Sequence, residues 1–152
     1  MTRNVLVTVS GILFAAGADG ENQSVEVVSP GQYFWKHGRH YVRYDEIAQE
    51  DAPPVRNLMK ISADELNIHK KGLVEADFSF IVGRHTEAHY LTPYGSMVLG
   101  IEASRLDVSE ETGLVHVDVE YALDVNEERV SDCFLKIDIK SGEEGKPFSL
   151  MS

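Results

Sequence analysis

Apolar and polar positions alternate with a period of two along most of the chain, as half-buried β-strands require. Val74, Ala76, Phe78, Phe80 and Val82 alternate with Glu75, Asp77 and Ser79. Val115, Val117, Val119, Tyr121 and Leu123 alternate with His116, Asp118, Glu120 and Asp124, which is apolar-in, polar-out. The same pattern predicts strands over 3–14, with Gly11 a bulge or bend, and over 24–36, with Pro30-Gly31 marking an edge position or bulge. His37-Gly38 separates two aromatic-rich runs as a hairpin turn, and "RHYVRYDEI" is the third strand. "RNLMKIS" and "ELNIHKK" flank Ala63-Asp64 as a short hairpin. "HTEAHYLT" leads into the turn "PYG". Ser96–Val108, Leu114–Val125 and Val130–Lys140 then form three long strands joined by "SEETG" and "NEER". The polar, Pro-rich "AQEDAPPV" reads as a loop closing a structure rather than a linker between domains.

That makes about ten strands at hairpin spacing, with no long helix. Several run to about 12 residues, roughly twice the usual ~5–6. Long sequential hairpins suit a meander that coils and closes, which removes exposed edges. The expected fold is all-β, a closed antiparallel up-and-down barrel, in one domain spanning all 152 residues.

Several stretches, taken in order, resemble the YwiB-like family of bacterial proteins: "HYVRYDE", "MKIS…LNIHKKG", "ADFSF", "YLTPYG", "VDVEYAL" and "FLKIDI". The resemblance runs roughly from Val25 to Ile139, and the order of the motifs, "YLTPYG" above all, is its specific part. It implies a barrel of calycin (lipocalin-like) type with an enclosed interior, inside the cell. It brings no assigned reaction and no ligand. Family members tend to carry arginine beside the glycine that "KKG" matches, where this chain has Lys71, which keeps charge but lacks a planar fork.

His85, Glu87 and His89 would share one face of a strand, and such residues ligate zinc. Neighbours two apart are ~6.8 Å distant and the outer pair ~13.6 Å, so one ion cannot join both ends. A Gly83-Arg84-His85 turn opposes Val82 to Thr86, Phe80 to Ala88 and Phe78 to Tyr90, leaving Glu87 and His89 outside with Asp77 and Ser79. It avoids burying a lone carboxylate, so no metal site is expected.

Tyr44, Tyr90 and Tyr121 fall on inward faces, where they could donate hydrogen bonds to a ligand or simply fill a core. Glu46 shares the Val42–Tyr44 face, at a barrel mouth or a solvated strand end. Arg105 continues the Met97–Leu99–Ile101–Ala103 face; a bulge near Ser104 would instead turn it outward and Leu106 inward. These five residues form the candidate ligand-binding set. There is no Gly-rich phosphate loop, nucleophile elbow or helix-borne metal motif, so neither catalytic residues nor a cofactor are expected.

The formal net charge is −11, which on average repels polyanions and argues against nucleic acid. "YFWKHGRHY" does interleave bases with aromatics, as some single-strand binders do, but hairpin aromatics usually pack across strands. "MTRNVLVTVSGILFAAGADG" imitates a secretory signal, yet its alternating β-branched residues favour a first strand. No other run approaches membrane-spanning length, so no membrane partner is expected. The single cysteine, Cys133, alternates with Leu135 and Ile137 as a small strand hydrophobe. It cannot form an internal disulfide, which favours a reducing compartment, the cytoplasm. The leading expectation is a cytoplasmic barrel holding a small, partly apolar molecule in its lumen. The alternative is a filled barrel that engages a protein partner or forms a homodimer.

Overall fold

The computed structural model describes residues 3–11, 25–46, 51 and 53–141. The expected strand residues 12–14, 24 and 47 lie outside them, as does half of the "AQEDAPPV" loop. Ten antiparallel strands follow one another: β1 (Arg3–Gly11), β2 (Val25–Lys36), β3 (Arg39–Glu46), β4 (Val55–Ile61), β5 (Glu65–Lys71), β6 (Ala76–Ile81), β7 (His85–Thr92), β8 (Gly95–Glu111), β9 (Leu114–Val125) and β10 (Glu128–Ser141). They make one sheet in the order β6-β5-β4-β3-β2-β1-β10-β9-β8-β7. Every ladder but one joins strands adjacent in sequence; the exception, β1 with β10, pairs Val7 with Ile139 and Val9 with Ile137.

The turns explain the registers. His37 and Gly38 both take positive φ (52° and 73°), as do Asn126 and Glu127 (49° and 73°). Two-residue loops with both positions left-handed match the twist of the flanking strands, and they lock Lys36 opposite Arg39 and Val125 opposite Glu128. β2 runs unbroken through Pro30-Gly31. Its ladder to β3 begins at Gly31, so Pro30 has no β3 partner to donate to. Gly11 is not a bulge: it stays in register with both Val25 and Leu135. What requires glycine is a φ of +127° and a backbone approach so close that a Cβ would lie 2.3 Å from the Phe134 carbonyl oxygen.

The sheet curls into a nearly closed barrel rather than a fully closed one. β6 and β7 lie side by side, but among the described residues no continuous ladder joins them, and the expected Phe80–Ala88 hairpin pairing does not form. The seam is held at one end by reciprocal Glu75–Leu91 backbone bonds (3.0 and 2.9 Å). At the other end the Gly83 N–H donates to the Ala103 carbonyl at 3.2 Å. Between them the Thr86 hydroxyl donates to the Ser79 carbonyl at 2.6 Å. β6 is six residues long and β8 seventeen, so β6 runs out against the middle of β8.

Inside, one contiguous apolar cluster joins side chains from all ten strands except the short reach of polar groups at either end. Phe78, Phe80, Ala88 and Tyr90 face inward, while His85, Glu87 and His89 face out, as the alternation predicts.

Candidate functional site

Three alternating strands carry polar groups into one end of this apolar interior. On β3 the inward series is Val42, Tyr44, Glu46; on β4 it is Val55, Asn57, Met59, Ile61; on β5 it is Leu66, Ile68, Lys70. Lys70 is 6% exposed and Asn57 2%. The Lys70 ammonium donates to Glu46 Oε1 at 2.7 Å and to Asn57 Oδ1 at 2.8 Å. Asn57 Nδ2 donates to Glu46 Oε1 at 3.3 Å and to the Val55 carbonyl at 3.2 Å. A buried ammonium is tolerable only when paired and hydrogen-bonded, and these contacts supply both. The Glu46 side chain, 34% exposed, is the group's opening toward solvent.

Two tyrosines complete this end. Burial pushes both the Tyr44 and Tyr90 phenols up from their ordinary value, and the negative charge of Glu46 adds to it. Both therefore remain hydroxyl donors. Tyr90 also packs on Phe78, ring centroids 6.2 Å apart. Tyr121 sits nearer the middle of the barrel, edge-on to Phe80 at 5.1 Å, its phenol pushed up by burial and then by the Cys133 thiol beside it. It also lines a cleft of about 670 Å³ flanked by the Gly83 turn and the irregularities of β8 and β10.

Arg105 is a correction to the candidate set. The β8–β9 register shifts between Ala103 and Arg105, so Ser104 is an extra residue and Arg105 turns out of the barrel. Its side chain is 58% exposed and pairs with Asp107 at 2.5 Å and Glu120 at 3.0 Å. Leu106 takes the inward position and packs against the core.

The other end of the barrel holds a second polar group. Tyr33 and His40, both inward, meet at 2.8 Å between the hydroxyl and Nδ1. His40 Nε2 lies 2.6 Å from Oε1 of Glu110 on β8, in the opposite wall. A carboxylate only accepts, so Nε2 carries the proton and Nδ1 accepts from Tyr33. Burial lowers the His40 pKa and outweighs the pull of Glu110, which keeps the imidazole neutral. The Tyr33 phenol is pushed up by burial and by Glu110.

Alternation already marks Asn57, Lys70, Tyr33 and His40 as inward, yet their polar groups argue for the surface, and Glu110 turns inward only through the extra residue at Ser104. Lys71, where the family tends to have arginine, is exposed; its neighbour Lys70 is the inward one. The His85–Glu87–His89 face is a surface, where His85 pairs instead with Asp124 of β9 at 2.9 Å. Among the described residues no three His, Cys, Asp or Glu side chains are grouped to hold a metal ion.

A family model described as Domain of unknown function (DUF1934) matches residues 15–137. The chain belongs to the DUF1934 family. The DUF1934 match spans Tyr44, Glu46, Asn57, Lys70, Tyr90 and Tyr121 and leaves β1 outside. The chain is 26% identical over 113 residues to the uncharacterized beta-barrel protein YwiB of Bacillus subtilis (strain 168), covering 73% of this chain and 77% of that protein. The crystal structure of the ywiB protein from Bacillus subtilis superposes with a TM-score of 0.75 at 20% identity, over 93% of this chain and 94% of that one. The DUF1934 chain thus shares its barrel with YwiB.

Proposed function

We propose that this protein is a non-enzymatic cytoplasmic binding protein that holds a small, partly apolar molecule inside the barrel, its polar end on Lys70, Asn57 and Glu46. The observation that carries this reading is the Lys70 group itself. A solid core would be at least as stable with a hydrophobe in place of a buried ion pair. An ammonium, a carboxylate, an amide and two protonated phenols converging on one end of an apolar interior make the few polar contacts that orient a ligand. Cys133, the single cysteine and buried, suits a reducing compartment. Among the described residues no helix is long and apolar enough to cross a membrane.

Native mass spectrometry of the purified protein tests this. The expected result is a non-covalent small-molecule adduct that is lost on denaturation and in Lys70→Met and Tyr90→Phe variants. An adduct-free mass, with no thermal shift from a panel of amphipathic acids, alcohols and amines, would sink it.

A filled barrel that acts through its outer wall is the second reading. It is favoured by the packing of Tyr33, Met59, Phe78 and Phe80, none more than 1% exposed. The same spectra would then show a ligand-free protein, alone or as a dimer.

A further inference from the structure

The net charge of −11 is not spread evenly over the barrel. The outer face of β2–β5 holds Lys36, Arg39, Arg43, Arg56, Lys60 and Lys71, six of the chain's 14 lysines and arginines. Register sets them in adjacent rows: Gln32, Arg43, Leu58 and His69 in one, Phe34, Tyr41, Lys60 and Asn67 in the next, with Lys36 beside Arg39 and Arg56 beside Lys71. Asp45 and Glu65 share this face, Glu26 lies further along β2, Asp64 sits in the β4–β5 turn, and Asp77 stands on neighbouring β6. Among the described residues no carboxylate lies within 4.0 Å of Lys36, Arg39, Arg43, Arg56, Lys60 or Lys71. The opposite wall is the reverse. It carries Glu87, Glu102, Asp107, Asp118, Glu120 and Asp124, and its arginines are already engaged, Arg105 with Asp107 and Glu120, Arg129 with Asp132.

In the middle of the basic face two half-buried rings lie open to the outside. Phe34 and Tyr41 stack at 4.9 Å with planes 9° apart, and the Arg43 guanidinium lies 5.5 Å from the Phe34 centroid. Four strands at ~4.8 Å spacing make a face ~15 Å wide, room for two or three nucleotides. A polypeptide carboxylate needs cations but no ring faces. A single strand of nucleic acid uses both, cations along its phosphates and aromatics under its bases. The far wall's carboxylates are themselves solvent-exposed, Asp107 at 57% and Glu120 at 54%, and solvent ions screen them, so the cations beside a ligand act on it more strongly.

From this face we infer that the protein binds single-stranded nucleic acid across the outer wall of β2–β5, through Arg39, Arg43 and Lys60 to phosphates and Tyr41 to a base. The inference is independent of an interior ligand, and it runs against the expectation, drawn from the net charge and from the cross-strand packing of hairpin aromatics, that no nucleic acid is bound.

Fluorescence anisotropy of the full-length protein with fluorescein-labelled RNA and DNA of about 20 nucleotides, single-stranded and duplex, tests it. Single strands are expected to bind, and more tightly than duplex. Arg39→Glu/Arg43→Glu/Lys60→Glu should bind at least tenfold more weakly, with the slope of log affinity against log salt reduced by about 2. Tyr41→Ala should weaken binding by roughly tenfold, while Lys136→Glu on the opposite wall should not, circular dichroism melts confirming that each variant is folded. Absence of binding at about 50 mM salt would overturn the inference. So would an unchanged triple variant. A polyglutamate peptide that competes as well as RNA, with Tyr41→Ala without effect, would assign the face to an acidic protein instead.

Discussion

Glu110 of β8 crosses the barrel to His40 of β3, bringing Oε1 within 2.6 Å of Nε2. β3 and β8 lie in opposite walls, five places apart in the sheet order, so this contact ties the walls together where Tyr33 also anchors. Burial holds the His40 pKa below its ordinary value, so between neutral pH and the folded-state value the unfolded chain binds the extra proton and the folded one does not. Stability from this group is therefore present above about pH 6.5 and is lost as pH falls through that window. Urea unfolding of the wild type should weaken from about pH 7 to 5, and His40→Gln should flatten the decline.

His116 runs the other way. It lies between Asp118 (2.9 Å) and Asp138, whose hydrogen bond is the larger cause raising its pKa, and its side chain is 32% exposed. A raised pKa gives stability that is complete below about 6.5 and fades as pH rises through the folded value. His116→Gln should remove that loss on the alkaline side, measured in the same urea series. Solvent screening keeps the effect small.

Lys70 and Glu46 should behave as a unit. Lys70→Met leaves Glu46 without its cation and Asn57 Oδ1 without a donor, and should cost about 2 kcal/mol. Glu46→Gln/Lys70→Met removes both charges and should recover part of that. A double-mutant cycle in urea reads the coupling, and additive single losses would show that the pair is not coupled.

Gly100 lies beneath the His85–Asp124 pair. A Cβ there would meet His85 Nε2 at 2.6 Å and Asp124 Oδ2 at 2.8 Å. Both are ends of side chains that can swing away, so Gly100→Ala should separate the pair with little loss of stability. The Asp124 hydrogen bond is the chief reason the His85 pKa is raised. NMR titration of His85 should therefore show it falling back in Gly100→Ala, and an unchanged titration would place the cause elsewhere.

Glu127 holds φ at 73°, a conformation that costs a residue with a side chain roughly 1 kcal/mol. Glu127→Gly should stabilise the protein by about that much and raise Tm by about 2–4 °C, read by calorimetry.

Most of the barrel was legible from alternation, because a period of two both identifies a strand and says which side is inside. Tyr44, Tyr90 and Tyr121 were placed inward on that ground, and all three are buried. Arg105 was not resolvable, since the single extra residue at Ser104 reverses every later side chain and carries no sequence mark of its own. The β6–β7 seam was missed for a different reason. Closure depends on the accumulated stagger of ten strands, and no single hairpin encodes it. Lys70 and Asn57 follow the alternation, but their polar side chains are of the kind expected outside, and the pairing that reconciles the two spans β3, β4 and β5. The segregation of charge likewise needs the strand order, which puts Arg39, Arg56 and Lys71 on one face although they are far apart in sequence.

The incomplete seam gives the chain a natural dividing line. Every continuous ladder lies within β1–β6, within β7–β10, or between β1 and β10. A nick in the Gly83-Arg84 turn would cut the polypeptide yet leave all nine ladders whole. The molecule is in this sense two meanders, clasped by a full ladder along β1 and β10 and on the other side only by the few hydrogen bonds of Glu75, Thr86 and Gly83.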